Sequence, residues 1–407
     1  MRRKIHLPLL AATLLFALFM IGCGSDDGSG LVTPDVTGTI VIEPTPDSLN
    51  APWVLFGPDS YTTSGNGDET LLKLNLGEYT LVWGPVYGWT RPSHSTQTLV
   101  DDSTVSFSGT YVDFPGLTGD YALIPPASVT LPITFTMGGT AESNETPHEV
   151  TLNGRFEMAE TEITNGQYVE ALQWAYNQGH VTATAESVQD ALDGSTSDLL
   201  YLGNSGCQIS FSDGTFSTPY PERPVVEVSW YGAAAYCDWL SLQESLPRSY
   251  DHSTWSCNSD NPYDATGYRL PTEAEWEFAC RAGTATPFNT GDCLDADTEA
   301  NYRGFNPYTD CPMGLYLGRT VDVGSYPANG WGLFEMHGNV VEWCNDWFAD
   351  YSGDETDPVS AGSGDARVFR GGSWYYFANH CRSAYRFGSS PSYSSDVSGF
   401  RPVRSTS

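Results

Sequence analysis

The chain has 407 residues, of which 50 are acidic and 18 basic, so its formal net charge is −32. Such an excess of acid excludes nucleic-acid binding as a default, because contacts to phosphate require lysine and arginine. Aromatic residues make up 13% of the chain and charged residues only 17%, which indicates a packed globular protein and not a disordered one. The length allows two domains, each with its own core.

The N-terminus has the composition of an export signal. A basic stretch at residues 2–4 precedes an apolar run at residues 7–21, which is followed by Gly22 and Cys23. The run is short for a membrane-spanning helix, and a small residue precedes the cut site. The sequence Met-Ile-Gly-Cys resembles a bacterial lipobox, in which the cysteine carries a lipid. An ordinary signal peptide or a membrane anchor is the alternative.

We therefore predict a lipoprotein signal peptide over residues 1–22 and a flexible tether over residues 23–37, with Cys23 as the lipid anchor. The chain would then be an exported bacterial lipoprotein, held in the membrane through its lipid. We expect it at the outer membrane or the cell surface.

The nine cysteines agree with this assignment. An odd number is awkward for an exported protein, and assigning Cys23 to the lipid leaves eight, enough for four disulfides in an oxidising compartment. We expect local pairs between Cys293 and Cys311 and between Cys207 and Cys257. No spacing of cysteine or histidine suggests zinc.

Residues 38–113 predict a small all-β domain, because alternating apolar runs are separated by turns rich in glycine and aspartate. The segments IVIEPTPD and LNLGEYTLVWGPVYGW resemble a PEGA-type β-sandwich, a common spacer in surface proteins. Nothing in this stretch suggests chemistry, and we expect it to serve as a stalk.

The second predicted domain spans residues 117–407 and mixes helices with short strands. Thr164 with Gln167, and Thr272 with Glu275, have the spacing of capping boxes at helix starts. Apolar residues then recur at helical intervals after each of these caps.

Two further elements are expected between those helices. A strand beginning at Pro224 should lead into a helix capped by Ser229. Residues 175–222 are interpreted as an insertion, with one helix over residues 188–192 before a stretch rich in glycine, serine and proline.

Two acids flank a Gly-Asn pair later in this domain. Glu335 and Glu342 lie seven residues apart, with Gly338 and Asn339 between them. Such a turn can bring carbonyl and carboxylate oxygens together, and hard cations such as calcium prefer oxygen ligands. A turn carrying two solvated acids is the alternative.

The segment at residues 367–404 consists of three short motifs, called here the frame, and the residues that lie between them. The frame consists of RGGSW at residues 370–374, CRSA at 381–384 and GFR at 399–401. Between them lie mostly tyrosine, phenylalanine, serine and asparagine, which are typical of binding surfaces. A serine-rich surface loop without function is the alternative. The candidate ligand-binding residues are Tyr375, Tyr376, Phe377, Asn379, His380, Tyr385, Phe387, Ser389, Ser390, Ser392, Tyr393, Ser395 and Asp396.

Eight segments resemble the formylglycine-generating enzyme, or sulfatase-modifying factor, family. They are FTMGG, ETPHEV, ETEITNGQY, RPVVEVSW, GYRLPTEAEWEFACRAGT, GLFEMHGNVVEWCNDW, RVFRGGSW and SGFR. The resemblance implies an α+β fold of C-type-lectin character with little regular secondary structure and with bound calcium. By the same resemblance, the calcium ligands would be Glu335, Gly338, Val340 and Glu342, with a second set at Asn301 and Tyr302.

The enzymes of this family oxidise a sulfatase cysteine to formylglycine at a copper-binding pair of thiols shortly after the Gly-Gly-Ser turn. Here Cys381 is the one cysteine after Cys344, so the local pair is incomplete and copper is not expected. Cys381 would be catalytic only if the chain is nevertheless an oxidase. Alternatively, it forms a structural disulfide with Cys280 or Cys344.

The family has a second use, in proteins that retroelements diversify. Their C-terminal repeat reads RGGSW, variable residues, CRSA, variable residues and GFR, which matches residues 370–401 here. Adenine mutagenesis of asparagine codons never yields Lys, Glu, Gln, Met or Trp, and none of these occurs at residues 375–398. The resemblance implies a displayed patch that binds a protein or glycan on another cell or surface. A formylglycine-generating oxidase and a structural envelope protein are the alternatives.

Overall fold

The computed structural model describes residues 37–83, 89–90, 92, 95–113, 121–360 and 363–406. The predicted signal peptide and Cys23 lie outside these residues. The chain divides into two compact units, Met1–Val112 and Asp113–Ser407. No helix in the described ranges combines the length and the apolar composition needed to cross a bilayer.

The first unit is a small β-sandwich. One sheet has the strand order β4-β1-β8 and the other β3-β2-β5-β7, and both contribute side chains to one apolar core that includes Ile40, Trp53 and Trp83. Its all-β character was expected from alternating residues, and in β1 buried and half-buried residues alternate along most of the strand. The strands are β1 (Thr37–Thr45), β2 (Pro52–Phe56), β3 (Thr62–Asn66), β4 (Glu69–Asn75), β5 (Gly77–Trp83), β6 (Trp89–Thr90), β7 (Ser95–Leu99), β8 (Thr104–Thr110) and β9 (Val112–Asp113).

The second unit is α+β, and its described residues form three α-helices and many short strands, as the fold prediction requires. The helices are α1 (Asn165–Gln178), α2 (Trp230–Gln243) and α3 (Glu273–Arg281). The strands are β10 (Tyr121–Ile124), β11 (Ile133–Met137), β12 (His148–Leu152), β13 (Phe156–Ala159), β14 (Val181–Ala183), β15 (Val188–Asp190), β16 (Asp198–Leu200), β17 (Ser210–Ser212), β18 (Thr215–Ser217), β19 (Tyr250–Asp251), β20 (Ser256–Cys257), β21 (Tyr268–Arg269), β22 (Val341–Trp347), β23 (Glu355–Thr356), β24 (Arg367–Arg370), β25 (Phe387–Ser389), β26 (Ser398–Gly399) and β27 (Val403–Ser405).

The predicted helix caps are confirmed. At α1, the Thr164 hydroxyl accepts a hydrogen bond from the Gln167 amide, and the Gln167 side chain accepts one from the Thr164 amide. Thr272 and Glu275 make the same reciprocal pair at α3. Each box satisfies amides that the first helical turn leaves without partners. Ser229 caps α2 as expected.

Two local predictions are wrong. Residues 188–190 form β15, not a helix, because Val188 and Asp190 are buried while Gln189 is exposed, and the strand pairs with β14 and β16. The stretch from Pro224 is irregular, with isolated bridges at Pro224 and Val228. Glu227 has a φ of 61°, which interrupts any extended strand there.

One four-stranded sheet, of order β25-β24-β22-β26, positions the C-terminal segment. β22 pairs antiparallel with β24 and parallel with β26. Trp343, Phe369 and Phe400 belong to one buried cluster with the side chains of α2. The frame of the candidate segment therefore runs through the core of the unit.

The expected disulfides are only partly present. Cys293 and Cys311 are bonded, as predicted. The pairing of Cys207 with Cys257 is wrong: Cys207 points its thiol at the Ile209 carbonyl, and both cysteines are free. The four-disulfide expectation fails for the same reason, since most of the remaining thiols are packed in the core. The free cysteines are Cys207, Cys237, Cys257, Cys280, Cys344 and Cys381.

Candidate functional site

Three strands of one sheet hold the candidate segment. β24 leads into Gly371 and Gly372, whose φ values of 91° and 74° turn the chain out of the sheet. The segment then returns as β25, antiparallel to β24, and ends in β26 beside β22. A Cβ on Gly372 would lie 2.5 Å from the Cys381 sulfur, so the close approach requires glycine.

The thirteen candidate ligand-binding residues are called here the candidate patch. They are more exposed than most of the residues that lie between them. None of the thirteen is buried, and Tyr375, Phe377 and Tyr393 are 50%, 40% and 41% exposed. The buried residues between positions 375 and 396 are Ala378, Cys381, Arg382, Ser383, Ala384, Arg386 and Pro391, all of them outside the patch. Side chains that contact the core and side chains that face outward thus alternate irregularly along one segment.

The rings of the patch lie next to one another. Ring centroids are 6.1 Å apart for Tyr375 and Tyr376, and 5.4 Å apart for Tyr376 and His380. His380 lies 4.7 Å from Tyr385, which lies 6.0 Å from Phe387. Such spacings are typical of edge-to-face and tilted aromatic pairs.

Phe377 and Tyr393 extend the same ring cluster. Phe377 lies 5.8 Å from His380. Tyr393 lies 6.3 Å from the buried ring of Phe369, which lies 5.2 Å from Phe387. The rings that the sequence separates by up to eighteen positions therefore form one connected cluster, which Tyr393 joins through the buried ring of Phe369.

The polar members of the patch are tied to the frame mainly through their backbone. Asn379 accepts hydrogen bonds from Arg382 Nε at both its carbonyl and its side-chain oxygen. The Asp396 carbonyl accepts one from the Trp374 indole at 3.1 Å. Burial lowers the pKa of His380, with a further contribution from Arg382. The carboxylate of Asp396 itself is exposed.

Two buried arginines, Arg370 in the frame and Arg386 just after its second motif, bind acidic residues of α3. Arg370 donates to Glu273 at 2.9 Å and to Glu277 at 2.7 Å. Arg386 donates to both carboxylate oxygens of Glu273, at 2.6 and 2.7 Å. Paired charges of this geometry are the ones that tolerate burial, because each donor faces an acceptor.

Two more arginines fix the frame elsewhere. Arg382 makes a bidentate pair with Glu145 at 2.8 and 2.7 Å, and Arg401 makes one with Glu342 at 2.8 and 2.7 Å. These acidic partners could not be predicted from the sequence. Each of the three frame motifs contains one arginine, and this recurrence was the only hint in the sequence. The acids that bind these arginines lie up to 237 residues away, so no local pattern indicates the pairs.

Cys381 lies beneath the patch. Its sulfur contacts the Phe377 carbonyl at 3.6 Å, and its own carbonyl lies 2.7 Å from His337 Nδ1. Because His337 Nε2 accepts a hydrogen bond from the Asn289 amide, Nδ1 carries the proton. Burial raises the pKa of the Cys381 thiol to about 12. The disulfide to Cys280 or Cys344 that was considered for it is absent.

The Gly-Asn turn supports the patch from behind. Glu335, Gly338 and Asn339 have φ values of 48°, 98° and 58°, which bend the chain sharply. The Gly338 amide donates to the Gly371 carbonyl, and the Asn339 carbonyl accepts from the Trp374 amide. Glu335 is buried, so the alternative of a turn with two solvated acids is wrong.

The predicted calcium ligands differ in how well they fit a cation. The Glu342 carboxylate already binds Arg401 and the Trp276 indole, and Glu335 accepts two backbone amides, from Gly324 and Tyr326. The first set therefore fits poorly as it stands, although the carbonyls of Gly338 and Val340 belong to the same turn. No group of three metal-binding His, Cys, Asp or Glu side chains occurs in the described ranges.

The second set fits better. The Asn301 amide nitrogen donates to the Arg319 carbonyl and to Asn339 Oδ1, while its own Oδ1 is buried and without a partner. Such an orphaned oxygen is a suitable ligand atom for a hard cation. Tyr302 donates its hydroxyl to the Leu294 carbonyl. Calcium stays a prediction.

Two residues outside the candidate segment border the patch and were missed. The Tyr201 hydroxyl, in the inserted segment, donates to the Ser392 carbonyl at 3.3 Å. The Arg303 amide donates to the Tyr376 carbonyl at 2.9 Å. Neither residue carries a sequence signal of its own, because only the fold brings it to the patch.

Comparisons with known proteins match the second unit. The model of the sulfatase-modifying factor enzyme 1-like domain matches residues 122–406. The formylglycine-generating enzyme of Streptomyces coelicolor is 33% identical over 298 residues, which are 66% of this chain and 85% of that enzyme. The serine/threonine-protein kinase pkn1 of Chlamydia caviae is 31% identical over 260 residues, 62% of this chain but 33% of the kinase.

Among solved structures, variable protein 1 of Treponema denticola is 26% identical, with 70% of this chain and 95% of that chain covered and a TM-score of 0.48. The family model covers well over half of the 407 residues, and the Streptomyces enzyme is matched over most of its length. The chain belongs to the sulfatase-modifying factor, or formylglycine-generating enzyme, family.

Proposed function

We propose that this chain is a surface lipoprotein that binds a protein or glycan ligand through the candidate patch, without catalysis. The observation that carries the proposal is the division by burial: all thirteen patch residues reach the surface, while seven of the nine residues between them are buried and the other two, Gly388 and Ser394, are half-buried. A surface built in this way can change its side chains without changing its core. The lipobox resemblance at Cys23 supports the surface location.

The chemistry of the patch supports recognition. Tyrosine and phenylalanine give large contact areas with few rotatable bonds, and serine, asparagine and aspartate supply adaptable hydrogen bonds. The partly exposed rings of Tyr375, Phe377 and Tyr393 are suited to anchor an interface. The absence of five residue types from positions 375–398 supports diversification by adenine mutagenesis.

A formylglycine-generating oxidase is the second candidate, favoured by the 33% identity to the Streptomyces enzyme. A thiolate copper site needs two soft sulfur ligands. Cys381 is the one cysteine of the candidate segment, and burial raises its pKa to about 12, which disfavours a thiolate at neutral pH. These features favour binding over oxidation.

A randomised library tests whether the scaffold serves display. The thirteen patch codons would be randomised in the full-length chain, and members would be selected for an arbitrary protein target. We expect most members to fold and some to bind. A matched library, randomised at exposed sites in the first unit such as Leu72 and Val100, should give no binders. Unfolding of most patch variants, or equal success of both libraries, would contradict the proposal.

A turnover assay tests the oxidase alternative. The purified chain would be incubated with copper, oxygen and a sulfatase-type cysteine peptide, and the peptide mass followed. We expect no formylglycine. Conversion of the peptide that disappears in the Cys381→Ser variant would overturn the binding proposal.

A further inference from the structure

Arg303 lies at the edge of the candidate patch, with its guanidinium among four aromatic rings. The distances from the guanidinium carbon to the ring centroids are 4.8 Å for Phe305, 5.6 Å for Tyr316, 5.8 Å for Tyr375 and 5.6 Å for Phe377. Two of these rings belong to the patch and two to the loop at residues 303–318. Cation–π contacts hold the charge in place at this junction.

Among the described residues, this guanidinium has no counter-ion. In the part of the chain that the structure describes, no carboxylate lies within ion-pair distance of Arg303. Its Nε is buried without a hydrogen-bond partner. The contrast with Arg370, Arg382, Arg386 and Arg401 is sharp, since each of those donates to a carboxylate. The half-buried Arg303 side chain donates no hydrogen bond within the described residues, so its terminal guanidinium nitrogens are the donors that an acidic group from outside would use.

The loop that contains Arg303 exposes several large apolar side chains, although the Asp297 carboxylate accepts a hydrogen bond from its Leu315 amide. Phe305, Met313, Leu315 and Leu317 are 43%, 75%, 59% and 42% exposed. Phe305 contacts the Arg303 guanidinium, and the Leu315 carbonyl is hydrogen-bonded to the amide of Gly304, the next residue. We call these four exposed side chains of the Arg303 loop the apolar rim. Apolar patches of this kind, with a polar group inside, are typical of interaction sites.

The loop that carries this rim is structured. The Gly304 amide donates to the Leu315 carbonyl, and the Gly314 amide donates back to the Gly304 carbonyl. The disulfide between Cys293 and Cys311 ties the loop to the chain before it. Because residues 303–318 lie outside the segment at 370–401, Arg303 stays constant when the patch residues change.

We propose that Arg303 binds the carboxylate of an aspartate or glutamate in a protein ligand, next to an apolar residue of that ligand. The inference rests on the proposed function and narrows its ligand class. Methionine, leucine and phenylalanine side chains offer no strong hydrogen-bonding groups for the hydroxyls of a sugar. The apolar rim therefore favours a protein over a glycan as the ligand. The chain as a whole is strongly acidic, so this local cation is what allows an acidic ligand to approach.

Selection from a random peptide library on the purified full-length chain tests the inference. Peptides that bind should share an acid beside an aromatic or aliphatic residue. We expect Arg303→Gln to weaken them roughly tenfold or more, and replacement of the peptide acid by its amide to weaken them equally. The two changes together should cost no more than either alone. Arg319→Gln, at an exposed arginine of the same loop region, is the control and should leave binding unchanged.

The outcomes separate the two proposals. Peptides that lose binding in the Tyr375→Ser and Phe377→Ser variants but show no acid preference would overturn the role of Arg303 and leave the proposed function standing. Failure to select any peptide that depends on the patch would count against both. If Arg303→Gln does not fold, the acid-to-amide change in the peptide still decides. Retention of sialyllactose but not lactose, without any peptide, would assign the site to a glycan and overturn the choice of a protein.

Discussion

Four buried arginines hold the frame in place, and Arg382 offers the clearest test of their role. Its guanidinium and the Glu145 carboxylate are both inaccessible to solvent or nearly so. Replacing Arg382 with alanine leaves Glu145 buried without a partner. We expect a loss of about 3–5 kcal/mol in the free energy of unfolding, measured with urea.

Arg319→Ala serves as the matched control for that measurement, because Arg319 is exposed, and it should change stability by less than about 0.5 kcal/mol. Removal of both partners, in Arg382→Met with Glu145→Gln, should recover part of the loss. Equal stability of Arg382→Ala and the control would contradict the assignment.

His252 predicts a pH dependence of stability. Its ring lies between Asp190 at 2.8 Å and Asp238 at 3.2 Å, and all three side chains are inaccessible to solvent. Burial alone would lower the pKa of His252, but the hydrogen bonds to Asp190 and Asp238 outweigh it and raise the pKa to about 9. The contribution is therefore complete below about pH 6.5, the ordinary value, and is lost as the pH rises towards 9.

Urea unfolding at pH 6 and pH 9 measures this contribution. We expect the free energy of unfolding to fall between these values in the wild type and to fall less in His252→Gln. His148→Gln, at a partly exposed histidine, should behave as the wild type. An identical pH slope in all three proteins would show that His252 does not bind an extra proton in the folded state.

At this scale, the sequence predicts what is local. The caps at Thr164 and Thr272 were readable because both partners lie within one helical turn. The pairs of Arg382 and Arg401 were not, since their acids come from distant parts of the chain. Tyr201 and Arg303 were missed for the same reason.

Among the elements, the Gly-Gly turn separates the frame from the patch. Gly372→Ala places a Cβ 2.5 Å from the Cys381 sulfur at a φ of 74°, so it should lower stability by on the order of 2 kcal/mol. Tyr375→Ser and Phe377→Ser should change it by less than about 1 kcal/mol, because both rings are partly exposed. Thermal unfolding compares the three variants. Larger losses at the two aromatic positions than at Gly372 would contradict the division into frame and patch.

The second predicted calcium set, at Asn301 and Tyr302, lies against the turn behind the patch through the hydrogen bonds between Asn301 and Asn339. If Asn301 and the neighbouring carbonyls bind calcium, its addition should raise the melting temperature, by a stabilisation of about 2.7 kcal/mol at 100 times the Kd. A chelator should reverse the gain, and Asn301→Ala should abolish it. Magnesium is the control, because it requires a tighter octahedral geometry. A melting temperature that calcium and chelator leave unchanged would exclude the site.

The wrong predictions at this scale have a common cause. Val188 was assigned to a helix from local composition, whereas pairing with two neighbouring strands decided its conformation. Glu227 interrupts the strand expected from Pro224 because it adopts a positive φ, which the sequence pattern does not predict. Cys207 and Cys257 were paired by proximity in sequence, although the fold keeps both thiols free.

For the whole molecule, the sequence motifs over residues 117–404 were sufficient to predict the family and its α+β class. They could do so because they follow one another in the order that is typical of the family. The sequence also shows directly that Cys381 is the one cysteine after Cys344. The continuity of the patch rings was not visible, because it depends on how β24 and β25 bring residues 375 to 393 together.

We propose that the chain varies its patch residues and keeps its frame residues. Sequencing codons 367–404 and the neighbouring DNA in sister strains measures this directly. We predict substitutions confined to the patch codons and to adenines, with an imperfect copy of the segment beside a reverse transcriptase gene. Identical sequences in all strains, or substitutions spread equally over buried frame codons such as those of Arg370, Arg382 and Arg401, would contradict it.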